Sequence, residues 1–392
     1  MTGSVQVKGN KLYCVLNFKD NKGRRKPKWF ATGLEAKGNK KRAESMLRDL
    51  LAKYEHTSAE SLQKIMFTDY IHQWLELKKP QIDIVTYEGY ETTCNAHILP
   101  YFKDMKLDIR DVTAKHIQEY YNEKFLNGKI RRYDKAKNTD APIGLAVSSL
   151  RKHRIVLNQV FEDAIFNRIT DYNPVTFAKL PKSQKSAPIQ FYNNTQANKL
   201  LGLITDYTYK TLISVVLYYG LRRSEVLGLR VSAIDFDKNE FTINHTVVCN
   251  KSIVYKDSTK SDTSNTTFPL LPKIKEMFLE LIHKKQENKD IFGTGYKDTD
   301  YIFVWEDGTP YSPDYVSKKF EKIIKKSDLP RITFHKLRHS TASILLEKGW
   351  DIKSIQLWLR HADVKTTLNI YAHIKEDQKV AMAKSIDNTF LI

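Results

Sequence analysis

Between residues 181 and 188 the chain reads Pro-Lys-Ser-Gln-Lys-Ser-Ala-Pro. This stretch is polar, basic, bracketed by prolines and free of apolar periodicity, so it reads as a linker and not as a helix or strand. The 392 residues exceed what one ordinary core organises, and a break at this point predicts separate folding units on either side of it. Two or three domains are expected, mainly α with small β-sheets. A second, shorter linker is expected over residues 57–64.

Ahead of that shorter linker, residues 1–56 read as a small basic domain. Residues 5–7, 12–18 and 28–32 have strand character, with Asn10 and the run Asp20-Asn21-Lys22-Gly23 supplying turns. A helix follows, with Ala43, Met46, Leu47, Leu50, Leu51 and Tyr54 along one face. A three-stranded sheet plus helix is therefore expected, with Arg24, Arg25 and Lys26 in a loop able to enter a DNA groove. Residues 62–181 read as mainly helical. One helix begins with Phe67, Tyr70, Ile71, Trp74, Leu75 and Leu77 and breaks near Pro80. A second runs from Tyr87 to Ile98 and stops at Pro100. Thr113 can cap a third, and a charged loop over residues 128–140 follows. The longest helix is expected over residues 146–167, ended by Asn173-Pro174, with Lys152, His153 and Arg154 as candidate phosphate contacts.

Beyond the main linker, residues 333–373 concentrate chemistry. They hold His335, Arg338, His361 and Tyr371 on three short predicted helices. The first covers residues 336–348 and stops at Gly349, Asp351 caps the second, and Asp363 caps the third. A displaced phosphodiester gathers charge on its non-bridging oxygens. Arginine meets that charge with a planar fork of donors, and a histidine adds another. A tyrosine hydroxyl can attack phosphorus and hold it as an ester, but with an ordinary pKa of about 10 it needs help. The chain has 21 tyrosines, so Tyr371 matters only as part of the group.

A second piece lies upstream at Tyr219-Gly220-Leu221-Arg222-Arg223-Ser224-Glu225. An apolar helix ends at Gly220, a turn presents Arg222, and a new helix carries Glu225 in its first turn. An alternating run over residues 240–248 reads as one strand and residues 266–270 as the end of another, with Lys256 and Lys260 between them.

With these boxes in view, the chain resembles the tyrosine recombinase (phage integrase) family. The G-L-R-x-S-E box, the H-x-x-R box and a C-terminal H…Y pair stand in the family's order, with His361 twenty-three positions after Arg338 and Tyr371 ten further on. The resemblance implies a helical core-binding domain over residues 62–181 and a mixed α+β catalytic domain over residues 189–392. It implies an arm-type DNA-binding domain over residues 1–56, as in integrases of conjugative transposons and temperate phages. Carried over position by position, Arg222 and Arg338 look like the phosphate-clamping arginines and His361 like a third donor. His335 looks like the histidine that takes or relays the tyrosine proton, Tyr371 like the nucleophile, and Glu225 like the acid that braces the first arginine. Arg223 is the competitor for Arg222. The family's general-acid lysine falls on Lys260, with Lys256 as the alternative, because Asn265 and Thr266 stand where the pattern normally has an arginine. The family usually has Leu-Gly-His where this chain has Leu359-Arg360-His361, so Arg360 either touches a DNA phosphate or faces solvent.

The implied activity is cleavage and rejoining of DNA through a 3′-phosphotyrosyl intermediate, integrating and excising a mobile element, with no metal, nucleotide or other cofactor. Implied partners are double-stranded DNA, a homotetramer on it, an excisionase-like directionality factor and a DNA-bending protein. A type IB topoisomerase and a non-catalytic DNA-binding regulator are the competing functions. Composition agrees with a polyanionic partner: 64 Lys and Arg against 45 Asp and Glu leave a net charge of +19. No apolar run is long enough to span a membrane, and the N-terminus lacks the apolar centre of a signal peptide. Three scattered cysteines predict neither a disulfide framework nor a zinc site, and so a reducing cytoplasm. The tail over residues 374–392 is apolar enough to dock on its own domain or on a neighbouring protomer.

Overall fold

A computed structural model describes residues 2–19, 25–54, 64–129, 143–182, 190–257 and 266–360. Two compact units divide the chain, Met1–Gln184 and Lys185–Ile392.

The first unit opens with three antiparallel strands, β1 (Thr2–Lys8), β2 (Lys11–Lys19) and β3 (Arg25–Glu35), in the order β1-β2-β3. Lys8 pairs with Lys11 across a two-residue turn in which Gly9 takes a left-handed φ of 65°, as the tight primed turns require. Helix α1 (Lys40–Tyr54) lies over the face of β2 that carries Cys14, and the Cys14 thiol donates to the Ala43 carbonyl at 3.5 Å. The expected apolar face of α1 is thinner than its sequence suggests, because Ala43 is buried while Met46 is exposed. Arg25 and Lys26, expected in a loop, belong to β3.

Helices follow. α2 (Phe67–Lys78) buries Phe67, Ile71 and Trp74 but leaves Leu77 exposed. α3 (Ile84–Thr93) is capped by Asp83 and passes through a π turn (Cys94–Ile98) into α4 (Leu99–Phe102). Pro100 therefore does not stop the helix. It occupies the first turn of α4, where a missing N–H is tolerated. Thr113 caps α5 (Ala114–Asn127) in a capping box closed by His116. α6 (Val147–Phe166) is the central helix of this group, with Leu157, Val160 and Phe161 packed against Phe67, Trp74 and Phe102.

In the second unit, α7 (Asn194–Leu203) leads into α8 (Tyr207–Tyr219), which is apolar nearly all round and runs through the core. The short α9 (Arg223–Leu227) comes next. The strands β4 (Ile234–Asp235), β5 (Glu240–Ile243), β6 (Thr246–Cys249), β7 (Ile253–Lys256) and β8 (Thr266–Pro269) form two pieces. One is an antiparallel sheet in the order β4-β5-β8, the other a β6-β7 ribbon. The single strand expected over residues 240–248 is thus two strands, broken at Asn244 and His245. The break has a physical cause: His245 is buried in a polar knot, bonded to Asp257 and to the Tyr301 hydroxyl, each at 2.8 Å. The remaining helices are α10 (Pro272–Phe292), α11 (Pro313–Lys325), α12 (Lys336–Glu347) and α13 (Ile352–Leu359). Gly349, at φ 84°, follows α12, and Asp351 caps α13 by accepting from the Lys353 and Ser354 amides.

Candidate active site

The site is built where the ends of α8, α9, α12 and α13 meet. Gly220 closes α8 in the left-handed conformation, φ 63°, and an added Cβ there would lie 2.1 Å from Leu359 Cδ2. Only glycine lets α13 come this close to the end of α8. The turn buries Leu221 and brings out Arg222 at the start of α9.

Glu225 is the hub. It is buried, and its Oε1 accepts from Arg222 Nη1 at 2.6 Å. Its Oε2 accepts from the Arg222 amide at 2.7 Å and from Arg360 Nη2 at 2.6 Å. Burial alone would raise the Glu225 carboxyl, but Arg360 and Arg222 outweigh it and hold it below its ordinary value.

Arg338 enters from α12 and is 1% exposed. Its Nη1 donates to the Gly220 carbonyl at 2.7 Å and its Nη2 to the Leu359 carbonyl. One guanidinium thus joins the end of α8 to the end of α13. Burial, with Arg222 and Arg360 nearby and Glu225 pulling the other way, lowers its pKa to about 9, which leaves it protonated at neutral pH. His335 precedes α12, its ring edge-on to His339 at 5.3 Å. His335 is exposed, yet desolvation by the protein around it, then the charges of Arg338, Arg222 and Lys336, lower its pKa, so the imidazole is neutral at pH 7 and able to accept a proton. His339 is lowered further, to about 4, again chiefly by burial.

Three guanidiniums around one buried carboxylate leave a surplus of positive charge, with Arg338 and Arg360 largely shielded and Arg222 open to solvent. That arrangement suits a phosphate-like anion, which arginine forks can meet in the plane of their donors. Arg223 does not share in it: its Nη1 donates to the Pro313 carbonyl at 3.2 Å and to Ser317 Oγ at 2.5 Å.

Residues 190–378 match the family model described as phage integrase family, and residues 66–125 match the phage integrase N-terminal SAM-like domain. The chain belongs to the phage integrase family. It is a tyrosine recombinase of the integrase type. A tyrosine recombinase described as XerC-like, from Caldanaerobacter subterraneus, is 25% identical over 90% of both chains. The ICEBs1 integrase of Bacillus subtilis is 27% identical over 77% of both. The Tn1549 transposon integrase, solved with transposon right end DNA, superposes with a TM-score of 0.64 at 19% identity, covering 82% of this chain and all of that one. That likeness shows a shared tyrosine recombinase fold.

Of the expected site residues in this recombinase, Arg222, Glu225, His335 and Arg338 come together. Lys260, His361, Tyr371 and Arg24 lie outside the described residues. Lys256 ends β7 and is half-buried, and Lys26 and Lys152 are exposed. Arg25 opens β3, and Arg154 is half-buried on α6.

Two expectations are corrected. His153 is not a phosphate contact: it is buried, its Nδ1 lies 2.8 Å from the Tyr120 hydroxyl, and its ring sits 4.9 Å from that of His97. Nor does Arg360 face DNA or solvent. It is buried against Glu225 with its guanidinium carbon 5.2 Å over the Phe268 ring. Its sequence clue was the arginine in a position where the family usually has glycine, but the carboxylate partner is 135 residues away. Among the described residues no helix is long and apolar enough to cross a membrane, and no group of three or more His, Cys, Asp or Glu is placed to hold a metal ion.

Proposed function

We propose that this integrase cuts and rejoins double-stranded DNA through Tyr371. The Tyr371 oxygen bonds to the scissile phosphorus as the bond to the 5′-oxygen breaks, leaving a 3′-phosphotyrosine and a free 5′-hydroxyl. His335 accepts or relays the tyrosine proton. Arg222, Arg338 and His361 bind the non-bridging oxygens as charge builds on them. Lys260, or Lys256 in its place, gives the leaving oxygen its proton. A 5′-hydroxyl from the partner strand then attacks the phosphotyrosine and releases Tyr371. The ester preserves the bond energy, so strand joining needs no nucleotide.

The observation that carries this reading is the convergence of Arg222, from the start of α9, with His335 and Arg338, from the start of α12, around Glu225 with cationic charge in excess. The +19 charge supports DNA as the partner. In this reading residues 1–56 bind arm sites, with Arg24, Arg25 and Lys26 at the groove. Residues 62–181 grip the core site, with Lys152 and Arg154 on phosphates, and residues 189–392 carry the chemistry. Four protomers exchange strands through a four-way junction in the cytoplasm, integrating and excising a mobile element. An excisionase-like factor sets direction and a DNA-bending protein assists.

The test is a nicked suicide duplex carrying the cognate core site, incubated with the wild type and with Tyr371→Phe. A covalent adduct from the wild type alone is expected. No adduct from the wild type would make the protein a DNA binder without this chemistry, and an adduct from Tyr371→Phe would mean that another tyrosine attacks.

A further inference from the structure

Arg360 stands in a conformation that side chains avoid. It terminates α13 with φ 56° and ψ 49°, the left-handed region. The family usually has glycine here, and glycine would take the same turn without strain. A strained non-glycine persists where its surroundings hold it in place. The hold is visible in the side chain, which is 9% exposed, bonded to Glu225 and laid on Phe268.

The same short turn is gripped from a second side. The Leu359 carbonyl, one residue earlier, accepts from Arg338. Arg338 also holds the Gly220 carbonyl, two residues before Arg222, and Glu225 holds both the amide and the guanidinium of Arg222. The turn after α13 and the turn before α9 are therefore tied together twice, once through Arg338 and once through the Arg360–Glu225 pair. The residue that follows Arg360 in the sequence is His361.

We propose that Arg360 is a positioning residue for strand cleavage: it fastens the turn leading into His361 to Glu225, the carboxylate that also orients Arg222. The proposal rests on the reading of Arg222 and His361 as phosphate-binding groups. Arg360 acts through Glu225 and the backbone, not by touching DNA. Its second effect is electrostatic. By sharing the negative charge of Glu225, it leaves Arg222 more of its own positive charge to offer an anion.

The experiment compares the full-length wild type with Arg360→Gly, Arg360→Lys, Glu225→Gln and the Arg360→Gly/Glu225→Gln double variant. Three quantities are read: single-turnover cleavage of the suicide duplex, affinity for the same duplex at fixed salt, and thermal unfolding. Arg360→Gly should stay folded, because glycine accepts the turn. Its DNA affinity should stay within about twofold, because no phosphate contact is lost. Its cleavage rate constant should fall about tenfold or more, since small misplacements of reacting groups are costly. Arg360→Lys should recover part of that loss. In the Glu225→Gln background, removing Arg360 should add little further loss. The proposal is overturned if Arg360→Gly cleaves at the wild-type rate, or if its loss only follows lost affinity or lost folded fraction. It is also overturned if the Arg360 and Glu225 losses multiply independently. A wild type that forms no adduct would instead remove the phosphotyrosine reading, and this proposal with it.

Discussion

Gly220→Ala is the sharpest perturbation the structure offers, because its effect divides into parts that can be measured separately. Gly220 lies at φ 63°, where an alanine costs about 1–2 kcal/mol in backbone strain. The new methyl would also sit 2.1 Å from Leu359 Cδ2, well inside contact distance. Cδ2 is the far end of a flexible side chain, but Leu359 is fully buried. Overpacking of this kind costs about 1–3 kcal/mol more. The expected loss is therefore about 2–5 kcal/mol, a large share of the margin by which most domains are stable. Urea unfolding followed by tryptophan fluorescence reads it directly. Trp358 stacks on Tyr219 at 5.9 Å and donates to the Tyr218 carbonyl, so it reports on this crossing.

Gly349 supplies the control. It too is left-handed, at φ 84°, but an added Cβ would meet nothing within 4 Å. Gly349→Ala should show the backbone part alone, about 1–2 kcal/mol. If Gly220→Ala is no more damaging than Gly349→Ala, the close packing of α13 on the end of α8 is wrong. A second variant closes the argument. Leu359→Ala alone should cost about 2–5 kcal/mol through the cavity it leaves. In the Gly220→Ala background it should cost less, since the new methyl enters that space. Strict additivity would refute the contact. Function should respond as well. The Gly220 carbonyl holds Arg338 and Arg222 lies two residues on, so a shifted turn should lower cleavage by more than the loss of folded protein explains.

Other outcomes follow from the same geometry. Arg222→Lys should keep DNA binding and lose cleavage about a hundredfold or more, since a lysine cannot reproduce the fork held by Glu225; a suicide-duplex assay showing unimpaired cleavage would refute the clamp role. His153 is buried, chiefly by desolvation is pushed down to about 4, and so folds in its neutral form. Its folded pKa is below its unfolded value, so its contribution to stability is complete above the unfolded pKa of about 6.5. That contribution should be lost as pH falls toward 4, by roughly 3 kcal/mol, and His153→Gln should flatten the dependence measured by urea unfolding between those pH values. DNA affinity should fall linearly on a log–log plot against salt, with a slope of about −0.9 for each phosphate neutralised; a flat response would refute phosphate-led binding.

Local signals carried much of the architecture. Thr113, Asp351, Gly220 and Gly349 mark helix ends by chemistry confined to one turn, and each stands at the end it was expected to mark. The helical periods of α2 and α6 survive because each buries a stripe against a core of its own unit. What was not legible depends on partners remote in sequence. The alternation Phe241, Ile243, His245, Val247 suits one strand, yet the chain leaves the sheet before His245. At that point Gly228 comes so near the His245 carbonyl that a Cβ would meet it at 2.2 Å. A period of two cannot reveal a carboxylate, a phenol and a helix end waiting at the fifth position. His153 fails for the same reason: between Lys152 and Arg154 it looks like part of a basic face, but the helix turns it inward onto Tyr120.

The arginines make the limit plain. Arg222 and Glu225 are three residues apart, so their pairing can be read from spacing on a short helix. The Arg360–Glu225 pair joins two charged side chains, so covariation between these positions in related sequences could in principle reveal it. Arg338 is different in kind. Two of its hydrogen bonds go to backbone carbonyls, at Gly220 and Leu359. Every residue type supplies a carbonyl, so no substitution at either position need register the bond. The two bonds by which this guanidinium ties the end of α8 to the end of α13 are therefore ones that residue types alone conceal.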